Sequence, residues 1–269
     1  MLSHTLLTIS AFLALLPATI ISLRRNATRD ALFWGLLAVA VAGPVTWVLA
    51  TFAPGWRTGL ASALWVTIAT SLAVFGVLSA MMRDAWKLAP IVLPYMVIIA
   101  LLATLWLHQP ERAMTEQAPT AWVQYHILIS VVTYGLLTIG AISGLAVILQ
   151  ENALKQKRPG GFARLLPSVA DGERIQVTLL TAGGLVLGLG LLSGMGAEYF
   201  QSGRLIELNY KTTFSMMTFG VIITLLLVHV RTGIRGRRAA RYILAAYLLI
   251  TLAYLGVKFV TDVILAGSG

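Results

Sequence analysis

The chain has 269 residues, of which 58% are hydrophobic and 11% charged, with a net charge of +10 and no cysteine; its mean hydropathy is +0.85. That balance excludes a soluble globular domain, because apolar stretches of about 20 residues recur from end to end. The lack of cysteine excludes disulfides and thiolate chemistry. The twenty Lys and Arg sit mostly in short loops, where topology and anionic lipid explain them without nucleic acid.

In chain order, the pattern predicts eight membrane helices at about 5–23, 31–52, 59–82, 89–108, 121–150, 175–197, 212–230 and 241–262. The first does not read as a secretory signal, since Arg24 and Arg25 follow its apolar run instead of preceding it. The longest connection, 151–174, carries the breaker run Arg158-Pro159-Gly160-Gly161 and Pro167. No segment is long enough for an extramembrane domain. The expectation is an all-α polytopic membrane bundle with a single membrane domain, 1–269. Residues 1–108 form a plain four-helix half, and residues 121–262 hold the Gly-rich helices.

Counting cations by side orients the bundle. One side takes Arg24, Arg25, Arg29, Arg83, Lys87, Lys155, Lys157, Arg158, Arg164, Arg174, Arg231, Arg235, Arg237, Arg238 and Arg241; the other takes Arg57, Arg112, Arg204, Lys211 and Lys258. The positive-inside rule makes the first side cytoplasmic, so both termini are expected outside. Trp56, Trp86, Trp106 and Trp122 fall at helix ends, the level that amphipathic rings prefer. Trp34, Trp47 and Trp65 lie deeper and read as packing or pocket residues. Gly140 and Gly144 on the fifth helix, with Gly184, Gly188, Gly190 and Gly194 on the sixth, have the spacing that lets helices approach closely in lipid. Pro17, Pro44, Pro90 and Pro94 are expected to kink or cap their helices.

Ionisable side chains inside membrane segments are functional candidates by default. The chain has four histidines: His4, His108 and His126 near the outer face, and His229 near the inner. Stepping back from His229 by helical repeats passes Leu225, Ile222, Thr218, Ser215 and Lys211, a stripe that must face other helices or a cavity. From His126 the same repeats give Trp122 above, and Ser130, Thr133, Leu137, Gly140 and Gly144 below. That face sets one potential ligand over a floor of small residues, with room for a flat guest or another helix. Neutral imidazole ligates metals and haem iron, which makes His126 and His229 the candidate metal ligands. The plainer reading is that each simply hydrogen-bonds a neighbouring helix. None of the ten acidic residues lies mid-membrane, so neither a carboxylate relay nor a Ser/His/Asp set can be assembled there. No enzymatic activity is expected.

The two histidines are not expected to share an iron. Counted along their helices, His126 lies about 7 Å and His229 about 25 Å below the outer edge, whereas two imidazoles on one metal sit about 4 Å apart.

Three stretches carry a resemblance: AWVQYHILISVVTYGLLTIGAISGLAVILQE, LVLGLGLLSGM, and YKTTFSM followed by LLLVHVRTGIRGRRAAR. In order and spacing they resemble the cytochrome c assembly (CcsA/CcmC-type) membrane family, nearest its short YpjD/HemX-like branch. The resemblance covers residues 121–262. It implies that His126 is an outer-face haem ligand, that His229 is an intramembrane one, and that Lys211 ends the family's external segment. The Trp-rich platform of that segment is replaced by Glu198–Tyr210, which has no tryptophan, and no histidine follows in KFVTDVILAGSG. The expected function is therefore binding, movement or sensing of haem b in the bacterial inner membrane, without haem delivery. His126, His229, Trp122, His108 and Lys211 are the candidate cofactor residues. The alternative is a haem-free scaffold or regulator that acts through helix contacts on a haem-biosynthesis enzyme or transporter.

Overall fold

In lipid a backbone must satisfy its own N–H and C=O groups, so each apolar stretch is driven into a helix. The computed structural model describes residues 2–24, 28–53, 57–106, 112–113, 120–157, 161–203, 210–232, 236–256 and 259. Among them run α1 (Leu2–Ser22), α2 (Ala31–Phe52), α3 (Leu60–Met81), α4 (Ala89–Leu105), α5 (Thr120–Lys155), α6 (Val169–Ser202), α7 (Tyr210–Thr232) and α8 (Gly236–Thr251). Single 3₁₀ turns precede α4 (Ala85–Leu88) and α6 (Gly161–Leu165), and a π-turn, Leu252–Gly256, continues α8. The strands β1 (Arg57–Thr58) and β2 (Arg112–Ala113) form one antiparallel clip.

Seven helices, α1 to α7, are long and apolar enough to cross a membrane. The remaining one, α8, has 16 residues and opens on Arg237, Arg238 and Arg241. Expected bounds hold closely for α2 and α3. By contrast, α5 and α6 reach 36 and 34 residues, about 50 Å each, well past a hydrocarbon core of about 30 Å. Water does not stop a helix that has a proper end. The Ser168 hydroxyl accepts the Asp171 N–H and starts α6, and left-handed Gly203 ends it.

Two core clusters meet at α5. The first joins α1–α4 to the C-terminal half of α5 and the start of α6; the second lies among α5, α6, α7 and α8. Trp47 and Trp65 are fully buried and stack at 5.3 Å, with Trp47 Nε1 donating to Thr8 Oγ1 at 2.8 Å. These two are packing residues. Trp34 instead lies under the Arg29 guanidinium, 5.3 Å away. Trp86, Trp106 and Trp122 do fall at helix ends; Trp56 lies outside the described residues.

The basic loops collect at one end. Arg29 donates to the carbonyls of Ser79 and Ala80 at the foot of α3. The Gln150 amide clips the turn before α6 through the carbonyls of Ala163, Leu166 and Pro167. The start of α8 is held by two carboxylates: Glu173 accepts the Gly236 N–H, and Glu151 accepts the Arg237 N–H at 3.0 Å. At mid-depth, Tyr95 of α4 meets Tyr247 of α8 at 2.6 Å, and Tyr134 of α5 lies 3.3 Å from Tyr247 and 3.1 Å from Thr251.

Gln176 on α6 is 1% exposed, and neither its amide nitrogen nor its oxygen has a partner among the described residues. An unpaired buried amide costs about 1–3 kcal/mol. Gln176→Leu is therefore expected to raise the thermal midpoint of the detergent-solubilised protein. A lowered midpoint would show that the amide has a partner.

Candidate functional site

Trp122 and His126 lie on the first two turns of α5, against the last third of α6. That segment of α6 is rich in glycine, and the glycines admit the rings. A Cβ at Gly196 would stand 2.6 Å from the Trp122 ring, and one at Gly194 would stand 3.1 Å from His126 Cε1.

Ser193 stands just before the two contact glycines. Its hydroxyl donates to the Gly190 carbonyl at 2.9 Å, and its oxygen lies 2.9 Å from His126 Nδ1. When the hydroxyl proton goes to Gly190, Ser193 accepts from Nδ1–H, the tautomer that leaves the lone pair on Nε2. Trp122 Nε1 donates to the Ser193 carbonyl, also at 2.9 Å. Both candidate rings of α5 are thus held by one residue of α6. Phe200 meets Trp122 edge-on at 6.2 Å, and Tyr125, Tyr199 and Phe200 are exposed around the pair. The result is a half-buried imidazole within an exposed aromatic rim.

Sequence reasoning missed Ser193. Its signal was a lone hydroxyl inside GLGLLSGMG, on a helix whose neighbours are otherwise apolar or glycine.

Lower on α5, the small-residue face is filled by another helix. A Cβ at Gly140 or Gly144 would stand 2.8 Å from Ile243 of α8. The glycines of α6 meet α7 in the same way, Gly184 against Ile222 and Gly188 against Phe219. On α7, Thr218, Ile222 and Leu225 are buried and His229 is half-buried, as the stripe predicts. The structure does not bring His229 to His126. Helices α5 and α7 each pack on α6 and α8 and share no extended contact with each other. Counted from the helix starts at Thr120 and Tyr210, the histidines are offset by about 20 Å of rise. His108 and the side chains of His4 and Lys211 lie outside the described residues. Among the described residues, no three His, Asp or Glu side chains gather as a metal site.

A family model described as cytochrome C assembly protein matches residues 56–265, which extends the motif-bearing region back through α3 and α4. The chain is 48% identical over 262 residues to an uncharacterized 28.8 kDa protein in the nifR3-like 5' region of Azospirillum brasilense, covering 96% of this chain and 97% of that one. It is 30% identical over 179 residues to inner membrane protein YpjD of Escherichia coli K12, covering 66% of each. It is 24% identical over 171 residues to the cytochrome c biogenesis protein CcsA of Parasynechococcus marenigrum, covering 56% of each. A match running through six of the eight helices, with its motifs on α5, α6 and α7, makes this multi-pass membrane chain a member of the cytochrome c assembly protein family.

Proposed function

We propose that the chain is a haem-handling protein of the bacterial inner membrane, which binds, moves or senses haem b and performs no chemistry of its own. The observation that carries this reading is the Ser193–His126 hydrogen bond. A metal-ligating histidine normally donates its other ring N–H to a fixed partner, which sets its tautomer and aim. His126 has that partner in Ser193, and in the Nδ1–H tautomer its Nε2 would keep the lone pair that haem iron takes. Haem supplies an iron that accepts imidazole and a broad apolar ring that aromatic side chains can cover. Trp122 and Phe200 are the cover nearest His126. His229 is a second, separate position; Lys211 joins the outer-face set through the resemblance, and His108 joins it by its place near the outer end of its predicted helix. Family membership supports a haem-related role, and the inner-membrane relative supports the location.

Protein purified from haem-replete cells is expected to show a Soret band that His126→Ala removes. Ser193→Ala should weaken haem binding about tenfold, as losing a ligand's supporting partner does. A band that survives His126→Ala would remove His126 from the site. A featureless spectrum would favour the second reading, a haem-free scaffold, for which the specific support is that Ile243 already fills the Gly140–Gly144 floor.

The same reading takes α8 as an eighth crossing and puts both termini outside, with the basic end cytoplasmic. The chain has no cysteine, so Gly160→Cys introduces a single label site. Reaction with an impermeant thiol reagent is expected only after the cells are opened. Labelling of intact spheroplasts from outside would reverse the orientation.

A further inference from the structure

At the basic end, far along the helices from His126, the feet of α1, α2 and α4 and the 3₁₀ turn before α6 enclose a cavity of about 260 Å³. Its floor is apolar, formed by Phe33, Leu37 and Leu93, and its rim carries Trp86, Lys87 and Arg164. Among the described residues no carboxylate lines it. Asp84 stands next to it and pairs with Lys87 at 2.7 Å.

We propose that this cavity is a binding site for one anionic phospholipid, its phosphate between Lys87 and Arg164 and its glycerol and upper acyl chain on the Phe33–Leu37–Leu93 floor. The charge pattern selects an anion, and the apolar floor selects one with a hydrocarbon tail. A bare phosphate would leave that floor unfilled. Basic pockets between membrane helices are where acidic headgroups bind, each cation near the surface contributing about fivefold in affinity, and Trp86 marks the headgroup level. In this geometry Asp84 competes with the lipid for Lys87. The proposal is independent of haem.

The test is native mass spectrometry of the full-length protein. Delipidated protein is equilibrated in detergent with phosphatidylglycerol, with phosphatidylcholine, or with inorganic phosphate. One phosphatidylglycerol is expected to be retained per chain, in preference to phosphatidylcholine. Lys87→Gln and Arg164→Gln should each lower retention about fivefold, Asp84→Asn should raise it, and Leu36→Trp, at a lining residue and without altering charge, should fill the cavity and abolish it. The exposed cations Arg174 and Arg241 serve as controls, and Arg174→Gln with Arg241→Gln should leave retention unchanged. Equal retention of phosphatidylcholine, equal loss in the control pair, or displacement of the lipid by inorganic phosphate would each overturn the proposal. If Leu36→Trp fails to fold, the opposite signs expected for Lys87→Gln and Asp84→Asn decide it. Like effects from those two would also overturn it.

Discussion

Gly144→Leu is expected to prevent α8 from docking and to leave the detergent-solubilised protein without a cooperative unfolding transition near the parent's. A Cβ at Gly144 would stand 2.8 Å from Ile243 Cγ2 and 3.5 Å from Ala240 Cα. A leucine adds three further carbons to that space. Ile243 is fully buried and has nowhere to retreat, while the Ala240 contact is backbone. Overpacking of this kind costs about 1–3 kcal/mol and at times more. In lipid no hydrophobic force presses separated helices back together. Ile243→Ala in the same chain should recover much of the loss, because the two changes share one contact. Gly76, with nothing within 4 Å of an added Cβ, is the control, and Gly76→Leu should be near neutral. Equal damage at both positions would mean that helix propensity, not the α5–α8 approach, sets the effect.

The second large effect is expected at the start of α8. The first N–H groups of a helix have no partner within it and carry the positive end of its dipole. Here Glu173 takes the Gly236 N–H and Glu151 takes the Arg237 N–H, while Arg237 also donates to Asn152 Oδ1 at 2.7 Å. Three elements are tied by these bonds: the end of α5, the start of α6 and the start of α8. Replacing both carboxylates with alanine strands the donors, at about 1–3 kcal/mol for each. Amide exchange over residues 236–239 should then quicken at least tenfold, and trypsin should cut there first. Glutamine at both positions keeps an acceptor and removes the charge, so it should fall between parent and alanine. Unchanged exchange in the alanine variant would show that the bonds do not hold this end.

Much of the fold was legible because lipid makes the pattern nearly binary. Where a polar residue coincides with a helix end, as Asp30 does before α2, the boundary came out to the residue; its carboxylate accepts the Phe33 N–H at 2.9 Å. Hydropathy reads only the apolar part of a helix, so it hid the polar extensions of α5 and α6, which include good helix formers such as Glu151 and Lys155 and the Ser168 cap. The glycine pairs announced close approaches but not their partners. Spacing on one helix is silent about which neighbour fills it, and only the packed structure assigns Ile243 to α5 and Ile222 to α6. The site was half legible for the same reason. His126 stood out as an ionisable residue in an apolar run. Ser193 did not, because its meaning lies in a contact across 67 residues of sequence.

The three tyrosines bear on the order in which the chain assembles. Tyr95 and Tyr134 enter with α4 and α5, but the hydroxyl partners they have in the folded protein, Tyr247 and Thr251, both ride on α8. Until α8 arrives, the hydroxyls of Tyr247 and Thr251 are not there for them to meet. That helix is also the one that lipid alone would hold least firmly, short and with three arginines in its first turns. What docks α8 is then a set of hydroxyls as well as an apolar face, so a ribosome stalled before residue 247 would leave the bundle without the two hydroxyls that join α4 and α5 to its last-made part.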